Sequence, residues 1–173
     1  MILTVERVDE KLRAAAKPVL RKMDGIRLDK DDVFVLAAGF EDRVLGALKR
    51  ISSLGQTGFN AIVIEYLPYI EENKLNEITD LLKQLDCRIH RITYDRREPS
   101  GIGNTLLDIL GDHKGKILID ISAMSRLLIV QLLVELGKSR LFPGTSIPIR
   151  NILLLYCRMG AFTAIFLLTI HIL

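Results

Sequence analysis

The sequence has no tryptophan, two cysteines, five prolines and only 6% aromatic residues in 173. Cys87 and Cys157 stand far apart inside apolar runs, so neither a disulfide framework nor a site of closely spaced thiolates is encoded. A reducing, cytoplasmic setting is expected. Nor does one charge sign dominate: 24 Lys and Arg face 21 Asp and Glu, a net of +3, too weak a field to mark a nucleic-acid or membrane-surface binder. The first 20 residues are broken by Glu6, Arg7, Asp9, Glu10, Lys11 and Arg13, which leaves no apolar core of a secretory signal. Also missing are G-x-G-x-x-G after the first apolar run, any G-x-x-x-x-G-K-[ST] and any G-x-S-x-G. His90, His113 and His171 are the three histidines, none at metal-ligand spacing, so no metal site is expected and no cofactor is named.

What is present is a repeat. Apolar runs cover Val33 to Ala38, Ala61 to Glu65, Arg88 to Thr93, Lys116 to Ile121 and Ile152 to Cys157, their starts 27 or 28 residues apart and then 36. A strand, a helix and two loops fill about that length. After the first run Val44, Leu45, Leu48 and Ile51 share one helical face. After the second, Leu75, Ile78, Leu82 and Leu85 do so, with Glu71 and Glu72 expected in the first turn, where acids favour the helix dipole. The helix after the fourth run carries Leu127, Leu128, Ile129, Val130, Leu132, Leu133, Val134 and Leu136 around nearly its whole circumference, and is expected to be buried on all sides, one of them a homodimer interface.

The runs Val33-Phe34-Val35-Leu36 and Ile117-Leu118-Ile119 are continuously apolar, as in parallel strands covered on both faces. The expected fold is therefore α/β, three-layered and Rossmann-like, with five mainly parallel strands in the order 3-2-1-4-5 over residues 31–158. Residues 1–30 form an N-terminal helical arm drawn through Leu12, Ala15, Val19 and Met23, with Pro18 kinking it. Leu141 to Pro148 is a loop. From Ile152 to Leu173, 17 of 22 residues are hydrophobic, but a single spanning helix would hold Arg158 in hydrocarbon at a cost of roughly 3 kcal/mol. Residues 159–173 are accordingly expected to be an apolar tail packed on the domain or at an interface, with a membrane anchor as the alternative.

In such a sheet ligands bind beyond the carboxyl ends of the strands, where strand order reverses. That point falls between the loops after the first and fourth strands, Ala38 to Arg43 and Asp120 to Arg126, the two most polar strand-to-helix corners in the chain. In the first, Gly39 permits close backbone approach, Phe40 sits beside it, Glu41 and Asp42 read as helix caps, and Arg43 is either an exposed helix residue or an anion clamp. In the second, Asp120 ends a strand, Ser122 caps the next helix, and Ser125 and Arg126 lie in its first turn. Hydroxyls and a guanidinium at a helix N-terminus suit a phosphate or carboxylate, and a tie from Arg126 to Asp120 or Glu41 is the alternative. Arg88, His90, Arg91, Arg96 and Arg97 read as a solvated edge, with Tyr94 and Asp95 able to line one side of the site. Gly101-Ile102-Gly103 reads as a flexible start to the third helix.

On those two corners, the strand Val33-Phe34-Val35-Leu36-Ala37-Ala38 opening a polar turn and the run Asp120-Ile121-Ser122-Ala123-Met124-Ser125-Arg126 before an apolar helix, the chain resembles the ligand-sensing CRISPR-associated Rossmann fold of prokaryotic defence systems. The resemblance spans roughly residues 33–157, and the fourth turn departs from it by lacking glycines. It implies a sensor holding a cyclic oligonucleotide across a homodimer. The resulting expectation is a regulatory domain for a nucleotide-like or other phosphorylated small molecule, more a binder than an enzyme. The alternatives are a hydrolase of a phosphoester or glycosidic bond working through Glu41, Asp42 and Asp120, and a protein-interaction or membrane-tethered module.

Overall fold

The structure, a computed structural model, describes residues 27–111 and 115–138, together with the backbone of Arg21–Met23, Ile152–Leu155 and Ile165–Thr169. In chain order the elements are β1 (Arg21–Met23), β2 (Val33–Ala37), α1 (Gly46–Ser53), β3 (Asn60–Leu67), α2 (Leu75–Gln84), β4 (Arg88–Asp95), α3 (Ile102–Leu110), β5 (Ile117–Asp120), α4 (Arg126–Lys138), β6 (Ile152–Leu155) and β7 (Ile165–Thr169). β2 to β5 form a parallel sheet ordered β4-β3-β2-β5, alternating with helices, which is the 3-2-1-4 arrangement of four βα repeats. Beyond β5 the backbone of β6 pairs parallel to it, and β7 pairs antiparallel with both β6 and β1.

The continuous apolar runs are explained by the two layers that flank the sheet. Phe34, Leu36 and Ala38 point to the face covered by α1 and α2, whereas Val33, Val35 and Ala37 point to the face covered by α3 and α4. Both sides of β2 are dry, so alternation of polar and apolar residues would have cost burial on one of them. The helical stripes follow: Val44, Leu45, Leu48 and Ile51 lie in the first core with Leu75, Ile78, Leu82 and Leu85. Each such aliphatic side chain contributes about 1.5 to 3 kcal/mol on burial. Gly55, at φ +66, ends α1 by turning the chain out, its amide on the Ser52 carbonyl at 2.9 Å.

Three expectations are corrected. The second helix starts at Leu75, so Glu71 and Glu72 precede it; the chain first crosses to the β2 corner, where the Lys74 amide donates to the Gly39 carbonyl at 3.1 Å. α4 is not buried all round: Leu128, Leu132 and Leu136 face the core, while Leu127, Val130 and Val134 are 48, 56 and 48% exposed. A helix packs on a sheet through one stripe, and no described element covers the outer one. Arg21–Met23, the described part of the expected N-terminal helix, is extended and paired to Ile165–Leu167. Residues 27–30 of that arm are described and are not helical, with Leu28 in the core beside α1 and α2; residues 1–20 and 24–26, the Leu141 to Pro148 loop and the packing of residues 159–173 lie outside the described residues. Among the described residues no helix is long and apolar enough to cross a membrane.

Candidate functional site

Strand order reverses between β2 and β5, so the chain leaves β2 toward α1 on one face and leaves β5 toward α4 on the other. The two corners therefore face each other at the carboxyl edge, the place where open parallel sheets take ligands. They touch: a Cβ placed on Gly39 would stand 3.0 Å from the Ala123 Cβ. Glycine is needed here for close approach.

On the β2 side a short 3-10 turn, Asp42–Leu45, precedes α1, and Glu41 makes no side-chain cap. Arg43 instead pairs with Glu41: Nη2 donates to Oε1 at 2.9 Å, while the buried Nε lies 2.7 Å from Oε2 without completing a hydrogen bond among the described residues. Asp42 turns outward to Lys74, 2.8 Å away, and that ammonium holds its carboxyl below the usual range. Phe40 is 67% exposed. Glu41 and Asp42 are thus engaged by cations, and Glu41 makes no cap to the turn that follows.

On the β5 side Asp120 is 2% exposed. Its Oδ1 accepts from the Ser122 amide at 2.9 Å and from the Ser122 hydroxyl. Its Oδ2 accepts no hydrogen bond among the described residues. Burial pushes this carboxyl up to about 6, against the pull of Ser122 and of Arg43 from the facing corner. Ser122 is consequently spent on Asp120 and does not cap α4; Ser125 does, its hydroxyl accepting the Leu128 amide at 3.2 Å. Arg126 opens α4, is exposed, and makes no ion pair with Asp120 or Glu41. The inter-corner tie that stood as the alternative reading of Arg126 is absent among the described residues.

The sequence reading missed the support of this corner by β3 and β4. The Tyr66 hydroxyl accepts the Ser125 amide at 2.7 Å, Tyr66 packs edge-on against Tyr94 with ring centres 5.6 Å apart, and the Tyr94 hydroxyl donates to Gln131 of α4 at 2.7 Å. Arg96, itself exposed, lies over the Tyr66 ring at 4.7 Å, so one member of the basic edge stacks on this support. Two tyrosines at the ends of adjacent apolar strands are the available signal, since buried hydroxyls require partners. Arg88, Arg91 and Arg97 are exposed, as expected of an edge.

A cleft of about 240 Å³ opens at the neighbouring β4–α3 corner, with Thr93, Asp95, Glu98 and Thr105 in its lining. Its charged groups are carboxylates, so it does not suit an anion. Gly103, inside α3, sits under the Glu135 side chain, which explains that glycine by packing rather than by flexibility. No group of three His, Cys, Asp or Glu side chains gathers in a way that could hold a metal ion among the described residues. Neither a protein-family model nor a curated protein matches this chain.

Proposed function

We propose that the chain is a regulatory ligand-binding domain whose crevice between Gly39–Arg43 and Asp120–Arg126 takes a nucleotide-like or otherwise phosphorylated small molecule. What supports this is the contact of the two corners, Gly39 against Ala123, at the reversal of strand order, with a cation on each: Arg43 and Arg126. Arg126 is the stronger anchor, because Arg43 must exchange Glu41 for the ligand whereas no carboxylate pairs with Arg126 among the described residues. The nucleotide-like character, the defence context and a homodimer rest on the resemblance of the two turns to CRISPR-associated Rossmann-fold sensors. The exposed stripe Leu127, Val130 and Val134 of α4 adds an apolar surface for the second copy.

The hydrolase alternative requires its three acids to converge. Glu41 is paired to Arg43, Asp42 to Lys74, and Asp120 to Ser122, a distribution that favours binding over carboxylate catalysis.

The test is calorimetric titration with inorganic phosphate and with ribonucleotides, on the native protein and on Arg126→Ala. Loss of a charge-assisted hydrogen bond of about 1.5 to 3 kcal/mol weakens binding about tenfold to a hundredfold, with the melting temperature little changed. Unchanged affinity beside a lowered melting temperature overturns the anion role of Arg126.

A further inference from the structure

Asp120 uses one of its two carboxylate oxygens. Oδ1 is taken by the Ser122 amide and hydroxyl, whereas Oδ2 is enclosed and accepts no hydrogen bond among the described residues. Buried acceptors are nearly always paired, so one left over at a ligand crevice calls for a donor. The residue ends β5, directly under the corner that meets Gly39, and the cation acting on it is Arg43 from the opposite loop. The corners meet where Gly39 stands against Ala123, since a Cβ on that glycine would lie 3.0 Å from the Ala123 Cβ. A ligand that parts this contact and carries a small donor group would meet Oδ2 as an acceptor left unpaired among the described residues. The same ligand's anion would lie with Arg43 and Arg126.

A bare inorganic anion has no donor to offer this oxygen, and a carboxylate there would repel it. A sugar phosphate carries both parts, a hydroxyl to donate and a phosphate for the cations. We propose, resting on the ligand-binding reading above, that Asp120 Oδ2 accepts a ribose hydroxyl and that the crevice selects ribose-bearing phosphates over bare anions and over dideoxy analogues.

The experiment is titration at pH 7.5 of the full chain with the four ribonucleoside monophosphates and with their 2′,3′-dideoxy counterparts. A preference of about tenfold or more for the ribose form is expected, since a hydrogen bond to a charged group is of that worth. In Asp120→Asn, which places an amide donor in place of Oδ2, the preference for the ribose form is expected to fall below about threefold. If the two forms bind the native protein alike, this inference is overturned and the broader reading stands. If inorganic phosphate binds as tightly as any nucleotide, selectivity for the sugar is likewise refuted. If nothing in the panel binds, both fall. The native comparison decides the matter even if Asp120→Asn fails to fold.

Discussion

The amino and carboxyl edges of the sheet each bury one aspartate and treat it in opposite ways. At the amino edge Asp32 stands just before β2, 3% exposed, with both oxygens satisfied: Oδ2 by the Asp29 amide at 2.8 Å and the Lys116 ammonium at 2.9 Å, Oδ1 by the Lys116 amide at 2.7 Å. Burial raises its pKa, but those donors outweigh it and hold the carboxyl below its ordinary 3.8. At the carboxyl edge Asp120 has Ser122 alone on one oxygen, and burial wins. The amino edge is a closed knot joining β2 to β5, where Gly115 is required because a Cβ would fall 1.9 Å from the Asp31 carbonyl oxygen. A fold whose amino edge is fully satisfied can leave a polar group underused at the other edge. That asymmetry is an argument for placing the proposed ligand at the carboxyl edge.

The largest expected effect tests the knot. Asp32→Ala leaves two part-buried amides and a partly exposed ammonium without their acceptor and is expected to cost about 3 kcal/mol in denaturant unfolding, about 1 kcal/mol for each lost hydrogen bond. Because its folded pKa is depressed, the contribution of Asp32 is present above pH 3.8 and is lost as the pH falls below it. A loss under about 1 kcal/mol at pH 7 would show that the knot is ornamental.

Asp120 has the reverse sign. Its folded pKa lies above the unfolded 3.8, so its contribution is full below pH 3.8 and lost as the pH rises through about 6. The rise corresponds to about 3 kcal/mol at most. Between pH 4 and 6 the native protein is therefore expected to lose stability relative to Asp120→Asn, which has no proton to release there. Unfolding free energies of the two proteins across that window are the measurement. A constant difference would mean that Asp120 titrates normally and that the edges do not differ as argued.

The two edges also differed in how far they could be read from sequence. Continuous runs such as Val33-Phe34-Val35-Leu36 announce strands buried on both faces, and even spacing announces the βα repeat, because both are set by local period and by burial. Strand order followed from general topology, and with it the pair of corners. What failed depended on partners distant in sequence. Glu41 and Asp42 look like caps until Arg43 and Lys74 are placed beside them. Ser122 looks like a cap until Asp120 takes it. Tyr66 reaches Ser125 across 59 residues, and Asp32 reaches Lys116 across 84. The near-circumferential apolarity of α4 hid which stripe faces the sheet, since periodicity carries no signal when nearly every position is apolar.

The smallest expected effect sharpens the picture of the carboxyl edge as two corners in contact. Gly39→Ala brings a methyl to 3.0 Å from the Ala123 Cβ, closer than carbon atoms settle, so one loop must yield by a few tenths of an ångström. Overpacking of this kind costs about 1 kcal/mol. If the strain lies in that contact alone, Ala123→Gly in the same chain removes the opposing methyl and recovers most of the loss, although glycine at 123 has its own entropic cost of about 0.5 to 1 kcal/mol. The double-mutant cycle separates the two: a coupling of about 0.5 kcal/mol or more means that the corners press on each other in solution. Strict additivity would mean that Gly39 is required only by its own loop, and the crevice would then be wider than the contact with Ala123 implies.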